Sequence, residues 1–223
     1  MAAKPPRTPR RTDALSKERI VEAAIDILDA DGESALTFRA LAARLSTGSG
    51  AIYWHIADKT ALLAAAADAV ITPVVRGVAG GAEPREAIRR IAAGVFDAID
   101  AHPWVGIQLA REPWQPAVVE IFEGVGSQLQ TLGVDEAAQF NWSSALVNYL
   151  MGLAAQYTAV LQLVPRETDR SAVLGAIASH WAQHDPAKYP FVHTIAAQLA
   201  EHDDREQFLA GIDLFLAGIE AAR

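Results

Sequence analysis

Tyr53, Trp54 and His55 stand side by side just after a break in helical pattern at Ser46, Thr47 and Gly48. Before the break, Leu36, Leu41 and Leu45 give one helix an apolar face. After it, Ile52 and Ile56 give a very short second helix its own buried side at i, i+4 spacing. Two short helices packed across a turn form a helix-turn-helix, and the second helix of such a pair fits the DNA major groove. Little else in the chain could do chemistry. There is no Walker motif, no Gly-x-Gly-x-x-Gly and no Glu-x-x-His pair, so a helical enzyme is a remote alternative. With no Cys there is neither a disulfide framework nor a thiolate metal site. His102, His180, His184, His193 and His202 form no metal-spacing motif. His180 and His184 fall at i, i+4 and could hold a divalent ion, but an exposed helix face is the better expectation. No metal and no cofactor are expected.

The elements that position these residues are helical. Residues 1–15 are a Pro- and Arg-rich arm, expected to be disordered. It is either a solubilising tail or an arm that follows the DNA backbone or enters the minor groove. Ser16 has the chemistry of an N-cap, and Gly32 of a helix stop, for a first helix near 16–31. Thr37 caps a second helix near 37–45, the reading helix follows near 49–55, and Asp58 caps a fourth beginning at Lys59. The glycine-rich stretch 77–81 is expected to end the N-terminal unit. Beyond it, Pro84, Pro103, Pro113, Pro116, Pro165, Pro186 and Pro190 punctuate helices expected at 83–101, 104–110, 114–131, 135–162, 169–184, 192–201 and 204–221. The fold class is all-α, with a helix-turn-helix domain at 16–60 and a larger helical domain at 61–223.

A length of 223 residues, rich in Ala and Leu, provides ample core. No run of 18 uninterrupted apolar residues occurs, and the N-terminus lacks an apolar signal core. No membrane span or secretory signal is therefore expected, and the expected location is cytoplasmic. The net charge of −8 is unevenly spread: residues 1–60 hold nine Lys/Arg and eight Asp/Glu, residues 61–223 ten and nineteen. The acidic remainder would repel DNA and turn the N-terminal end toward it.

Leu36-Thr37, Arg39-Ala40-Leu41-Ala42, Leu45, Gly50 through His55, Asp58-Lys59 and Leu62-Leu63 together resemble the DNA-binding domain of the TetR family of bacterial transcription regulators. Tyr-Trp-His points to the branch that contains the tetracycline repressor. His102-Pro103-Trp104 and the run from Phe208 to Glu220 resemble that branch's C-terminal domain. The resemblance implies a homodimer that binds an operator in double-stranded DNA and is released by a small-molecule effector. An activator, or a ligand-independent binder of the same fold, is the alternative. Implied DNA contacts are Thr37 and Arg39 from the second helix; Ser49, Gly50 and Ala51 at the start of the reading helix; Tyr53 and His55 at phosphates; and Lys59 at a phosphate. Trp54 is expected to be mostly structural, its ring buried under the head. Ser46 and Thr47 depart from the family's usual turn residues.

The same resemblance implies a helical pocket, with Trp104, Gln108, Trp114, Phe122, Asn141, Trp142, Asn148, Tyr149, Met151 and Tyr157 around it. Against this stands a plain aromatic core. Asn141 and Asn148 fall seven apart, on one helix face, and are expected to turn inward. Aligned on His102, the position of the His that holds drug-bound magnesium in the tetracycline repressor falls on Leu109, so tetracycline–magnesium sensing is not expected. Helices 135–162 and 204–221 are implied to meet their twins in a four-helix bundle across a two-fold axis.

Overall fold

The computed structural model describes residues 15–78, 81–163 and 170–222; in it eleven α-helices follow one another, and no strand occurs among the described residues. The arm at 1–14, Gly80 and Pro165 lie outside the described residues. Cα packing divides the chain into two units between Ala66 and Ala67.

The first unit is built from caps the sequence carries openly. Ser16 Oγ accepts the Arg19 N–H at 3.3 Å at the start of α1 (Lys17–Asp31), and Gly32 closes that helix at φ 75°. Thr37 Oγ1 accepts the Ala40 N–H at 3.0 Å at the start of α2 (Phe38–Arg44). The α2 end is a Schellman turn. The Thr47 N–H reaches the Ala42 carbonyl at 2.9 Å and the Ser46 N–H reaches Ala43 at 3.2 Å. Ser46 holds φ 51°, so a side chain occupies the left-handed position that favours glycine. The turn keeps its geometry despite the unusual residue.

Then comes α3 (Ser49–Tyr53), two residues shorter than expected at its C-terminal end. Single-turn bonds continue past it, with the His55 and Ile56 N–H groups donating to the Ile52 carbonyl. Asp58 Oδ1 accepts the Ala61 N–H at 2.8 Å at the start of α4 (Lys59–Gly77). Ile20, Ala24, Leu28, Leu36, Leu41, Ile52, Ile56 and Leu62 are buried, which accounts for the apolar spacing of this unit. By length and composition α4 could cross a membrane, yet Leu62, Leu63, Ala66, Ala67, Ile71 and Val75 are buried within the protein. Pro73 lies inside α4 and does not interrupt it.

The second unit holds the rest of α4 with α5 (Pro84–Ala101), α6 (Trp104–Arg111), α7 (Pro116–Thr131), α8 (Glu136–Leu163), α9 (Arg170–Ala182), α10 (Pro190–Glu201) and α11 (Asp204–Ala221). α9 and α10 pack on each other, and α5 packs on α6, α7, α8 and α11. Along α5 and α11 three ion pairs run antiparallel: Arg85 with Glu220, Arg89 with Asp213 at 3.1 Å, and Asp97 with Arg205 at 2.6 Å. They are exposed, so each is worth ~0–1 kcal/mol and acts mainly on register. Gly106 sets the approach of α6 to α8, because a Cβ there would collide with Thr158 Oγ1 and lie 3.1 Å from the Ala154 carbonyl.

The Ser46 geometry gives a stability test. Ser46→Val, β-branched at positive φ, is expected to lower unfolding stability by at least ~1 kcal/mol, while Ser46→Gly leaves it unchanged or raised. Thermal denaturation followed by circular dichroism checks the order of the three proteins.

Candidate DNA-reading surface and interior cavity

A helix of five residues cannot hold itself in water. α3 is held by Ile52, which is fully buried, and by Ile56 just beyond it. What this leaves outward is the set of expected contacts. Thr37, Arg39, Gly50, Tyr53 and His55 are exposed, and Ser49, Ala51 and Lys59 are half-buried. Arg39 forms no ion pair among the described residues, so a paired surface charge is not what the structure shows. Arg44, one turn on, is the paired one, at 2.6 Å from Asp26. Lys59 Nζ donates to the Glu33 carbonyl at 2.7 Å. That bond ties the start of α4 to the loop after α1, and the ammonium keeps two further donors.

The Tyr53 ring lies flat on Phe38, with centroids 4.3 Å apart and planes 4° apart. Sequence reading missed Phe38, because an aromatic at the first position of a helix carries no periodic signal of its own. Glu18's carboxyl is held below the usual carboxylate range, first by a backbone N–H, then by the Ser16 hydroxyl, with attraction from Lys17 and His55 opposing a small desolvation.

Trp54 corrects the expectation. Its ring is 90 % exposed rather than buried under the head, because α3 ends at Tyr53 and Trp54, as its C-cap, falls past the buried face set by Ile52 and Ile56. The unit thus offers Tyr53, Trp54 and His55 together as a polar-tipped aromatic surface.

In the second unit, Trp104 and Gln108 are buried, and the Gln108 carbonyl accepts from Gln115 Nε2 at 2.5 Å. Phe122, Trp142, Met151 and Tyr157 are half-buried. Trp114 is 73 % exposed, standing in the turn between α6 and α7, and so does not line an interior. Asn141 and Asn148 do share a face of α8, but both are exposed; the inward face carries Ser143, Leu146, Val147 and Leu150 instead. Seven-residue spacing fixes a common face without saying which face is buried. His180 and His184 are exposed, with rings 5.8 Å apart.

A water-sized cavity of about 10 Å³ lies between Phe96, Ile99, Leu150, Ala154, Tyr157 and Phe208. Phe96 stacks on Phe208 at 5.3 Å and meets Tyr157 at 5.4 Å, while the Tyr157 hydroxyl donates to Asp100. Phe96 escaped the sequence reading, and Phe208 entered it only within the C-terminal resemblance and not as a cavity residue, because each sits on an ordinary apolar stripe. Tyr149 lies in the next layer, parallel to Phe208 at 5.8 Å, its hydroxyl donating to the Phe208 carbonyl at 3.2 Å; burial raises its phenol pKa. On the outer side of Tyr149 an open groove of about 570 Å³ runs between α8 and α11, lined by Trp142, Ala145, Tyr149, Gly211, Leu214, Phe215, Gly218, Ile219 and Ala222. Leu214 in it is 76 % exposed.

Both units match known proteins. The family profile for bacterial regulatory proteins of the tetR family matches residues 20–66, and that for the tetracyclin repressor-like C-terminal domain matches residues 80–223. A transcriptional regulator of Streptomyces coelicolor, a TetR, has a solved structure that is 50 % identical, with a TM-score of 0.82 over 93 % of this chain and 99 % of that one. The HTH-type transcriptional repressor DrrR1 of Streptomyces coeruleorubidus is 27 % identical over 97 % of this chain and 81 % of its own length. The fold is shared with ActR of Streptomyces coelicolor, solved in complex with (S)-DNPA, which is 22 % identical with a TM-score of 0.76 over 94 % of this chain and 98 % of that one. A helix-turn-helix with an outward Tyr-Trp-His, followed by an all-helical second unit, is thus matched in both parts and in chain order, and the chain belongs to the TetR family of bacterial transcriptional regulators.

Proposed function

We propose that this regulator is a cytoplasmic homodimeric repressor that binds an operator through α2 and α3 and leaves it when a small molecule binds the second unit. The observation that carries the DNA reading is the outward set Thr37, Arg39, Gly50, Tyr53 and His55, exposed on a unit whose core is otherwise closed. Arg39 and Lys59 supply charge to phosphates or guanine, and Tyr53 and His55 supply hydrogen bonds. Ser49, Gly50 and Ala51 keep the start of α3 slim enough for close approach, with Ala51 suited to a thymine methyl. DrrR1, a repressor by name, supports the sign of regulation, and the ActR complex supports a small-molecule site in this fold.

The groove between α8 and α11 supports the dimer. Its exposed Leu214 and its small Ala145, Gly211 and Gly218 form an apolar, uncharged surface suited to an identical surface across a two-fold axis. For the effector, the aromatic layer of Phe96, Tyr157 and Phe208 offers apolar walls, with Trp104 and Gln108 buried on the neighbouring helix. The ligand must bind the DNA-released form more tightly than the bound form, since tight binding without preference shifts nothing. The small volume of the cavity favours a second reading, a regulator of the same fold with no inducer. Small-molecule pools added to the protein–DNA complex separate the two: release by any compound supports the first reading.

A salt-titrated binding assay on the duplex just upstream of the protein's own gene tests the DNA reading. Arg39→Ala is expected to weaken the complex about 5- to 150-fold, a loss of ~1–3 kcal/mol, and to shrink the slope of log K against log salt by ~1 if the partner is a phosphate. Wild-type binding no tighter than to a random duplex, followed by failure to select any site genome-wide, sinks the proposal.

The dimer has its own test. Leu214→Asp replaces an exposed side chain and should change the fold of one chain by no more than ~0.5 kcal/mol. It is expected to yield folded monomers in analytical ultracentrifugation and to lose at least ~100-fold in operator affinity, because both half-sites are no longer gripped at once. A stable Leu214→Asp dimer places the interface elsewhere.

A further inference from the structure

We infer that Phe38 is a positioning residue for DNA reading: its ring fixes the ring of Tyr53 from behind and aims the Tyr53 hydroxyl. The inference rests on the reading of Tyr53 as a DNA contact and adds a residue that touches no DNA group itself.

Phe38 sits between Thr37 and Arg39, the two polar residues by which α2 would approach the duplex, yet it has no polar atom to offer. It is only half-buried. An apolar ring at that place needs a cover, and the cover is the Tyr53 ring, 4.3 Å away and 4° from parallel. With planes in contact at about 3.5 Å, that centroid distance is an offset stack, the favoured arrangement for two aromatic rings. The stack spans the motif from the first residue of α2 to the last residue of α3.

Two physical consequences follow for Tyr53. First, its ring is 55 % exposed, and without a neighbouring face it would sample several rotamers. The stack selects one before DNA arrives, so less side-chain freedom is lost on binding. Second, α3 ends at Tyr53, where helical hydrogen bonding gives way to a turn at Trp54 and His55. A ring held at that junction also holds the direction of the polar tips that follow.

The test is a double-mutant cycle. The probe is a fluorescent duplex selected by the wild-type protein from a random-sequence pool. Affinity is read by anisotropy at fixed salt, well below the melting temperature of every variant, and helix content is checked by circular dichroism. Phe38→Leu is expected to weaken binding about 2- to 10-fold. Phe38→Tyr, which keeps the stacking face, is expected to restore wild-type affinity. In a Tyr53→Ala background Phe38→Leu is expected to cost nothing further. If the losses of Phe38→Leu and Tyr53→Ala multiply, or if Phe38→Tyr binds as poorly as Phe38→Leu, the positioning role is overturned while Tyr53 remains a contact. If Tyr53→Ala binds like the wild type, the contact reading of Tyr53 fails, and this inference with it.

Discussion

A recognition helix of a turn and a half cannot be stable by itself, and everything in the first unit answers that constraint. Backbone hydrogen bonds within α3 are too few to offset the ordering of its residues. Its position is therefore set from outside: Ile52 and Ile56 bury one side, the Ser46 turn fixes the entry, and Phe38 clamps the exit. The three are independent in chemistry, being burial, backbone geometry and ring stacking. What they leave outward is a short stretch with Gly50 and Tyr53 exposed, Ser49 and Ala51 half-buried and Ile52 in the core. Lys59, tied to the Glu33 carbonyl, closes the same frame from α4.

The second unit solves a different problem, how long helices that are apolar over broad faces choose one packing. Close approach answers part of it. Gly106 admits α6 against the Thr158 and Ala154 turn of α8, and Gly94 and Gly124 admit the side chains of Val74 and Val75. Charge answers another part. The antiparallel pairing of Arg85, Arg89 and Asp97 with Glu220, Asp213 and Arg205 reverses sign near its end, so α11 slid by about two turns along α5 would bring Arg205 to Arg89 or Asp213 to Asp97. The aromatic rings Tyr157, Phe96, Phe208, Tyr149 and Phe215 then form a continuous series of contacts from the interior cavity to the α8–α11 groove.

Much of this was legible in the sequence where the cause is local. Ser16, Thr37 and Asp58 cap helices because a side-chain oxygen reaches the N–H three residues on, and that depends on nothing distant. Pro and Gly punctuation located every later helix within a few residues for the same reason. Reading failed where a tertiary choice decides. Asn141 and Asn148 share a face by spacing, but only the packing of α5, α6, α7 and α11 on α8 says that the Leu146 and Leu150 face is the one buried. Trp54 and Trp114 were assigned by residue type to interiors, while the chain leaves both at the ends of helices, facing solvent. Phe38 could not be found at all, because its partner Tyr53 lies across the turn.

The two outward surfaces differ in a way that bears on how they work together. The groove of the second unit is apolar, and no charged residue lines it. The reading surface is polar, but the charge of its own unit does not favour DNA: residues 15–66 hold five Lys/Arg and seven Asp/Glu. Net positive charge at this end comes from Lys4, Arg7, Arg10 and Arg11, set against Asp13 alone in residues 1–14. A single head therefore gains little from long-range attraction and depends on a few short contacts. Weak individual grips become strong only when two are held at a fixed spacing, since the second then binds at high effective concentration. On the function proposed above, the apolar groove would therefore serve operator affinity as directly as Arg39 does.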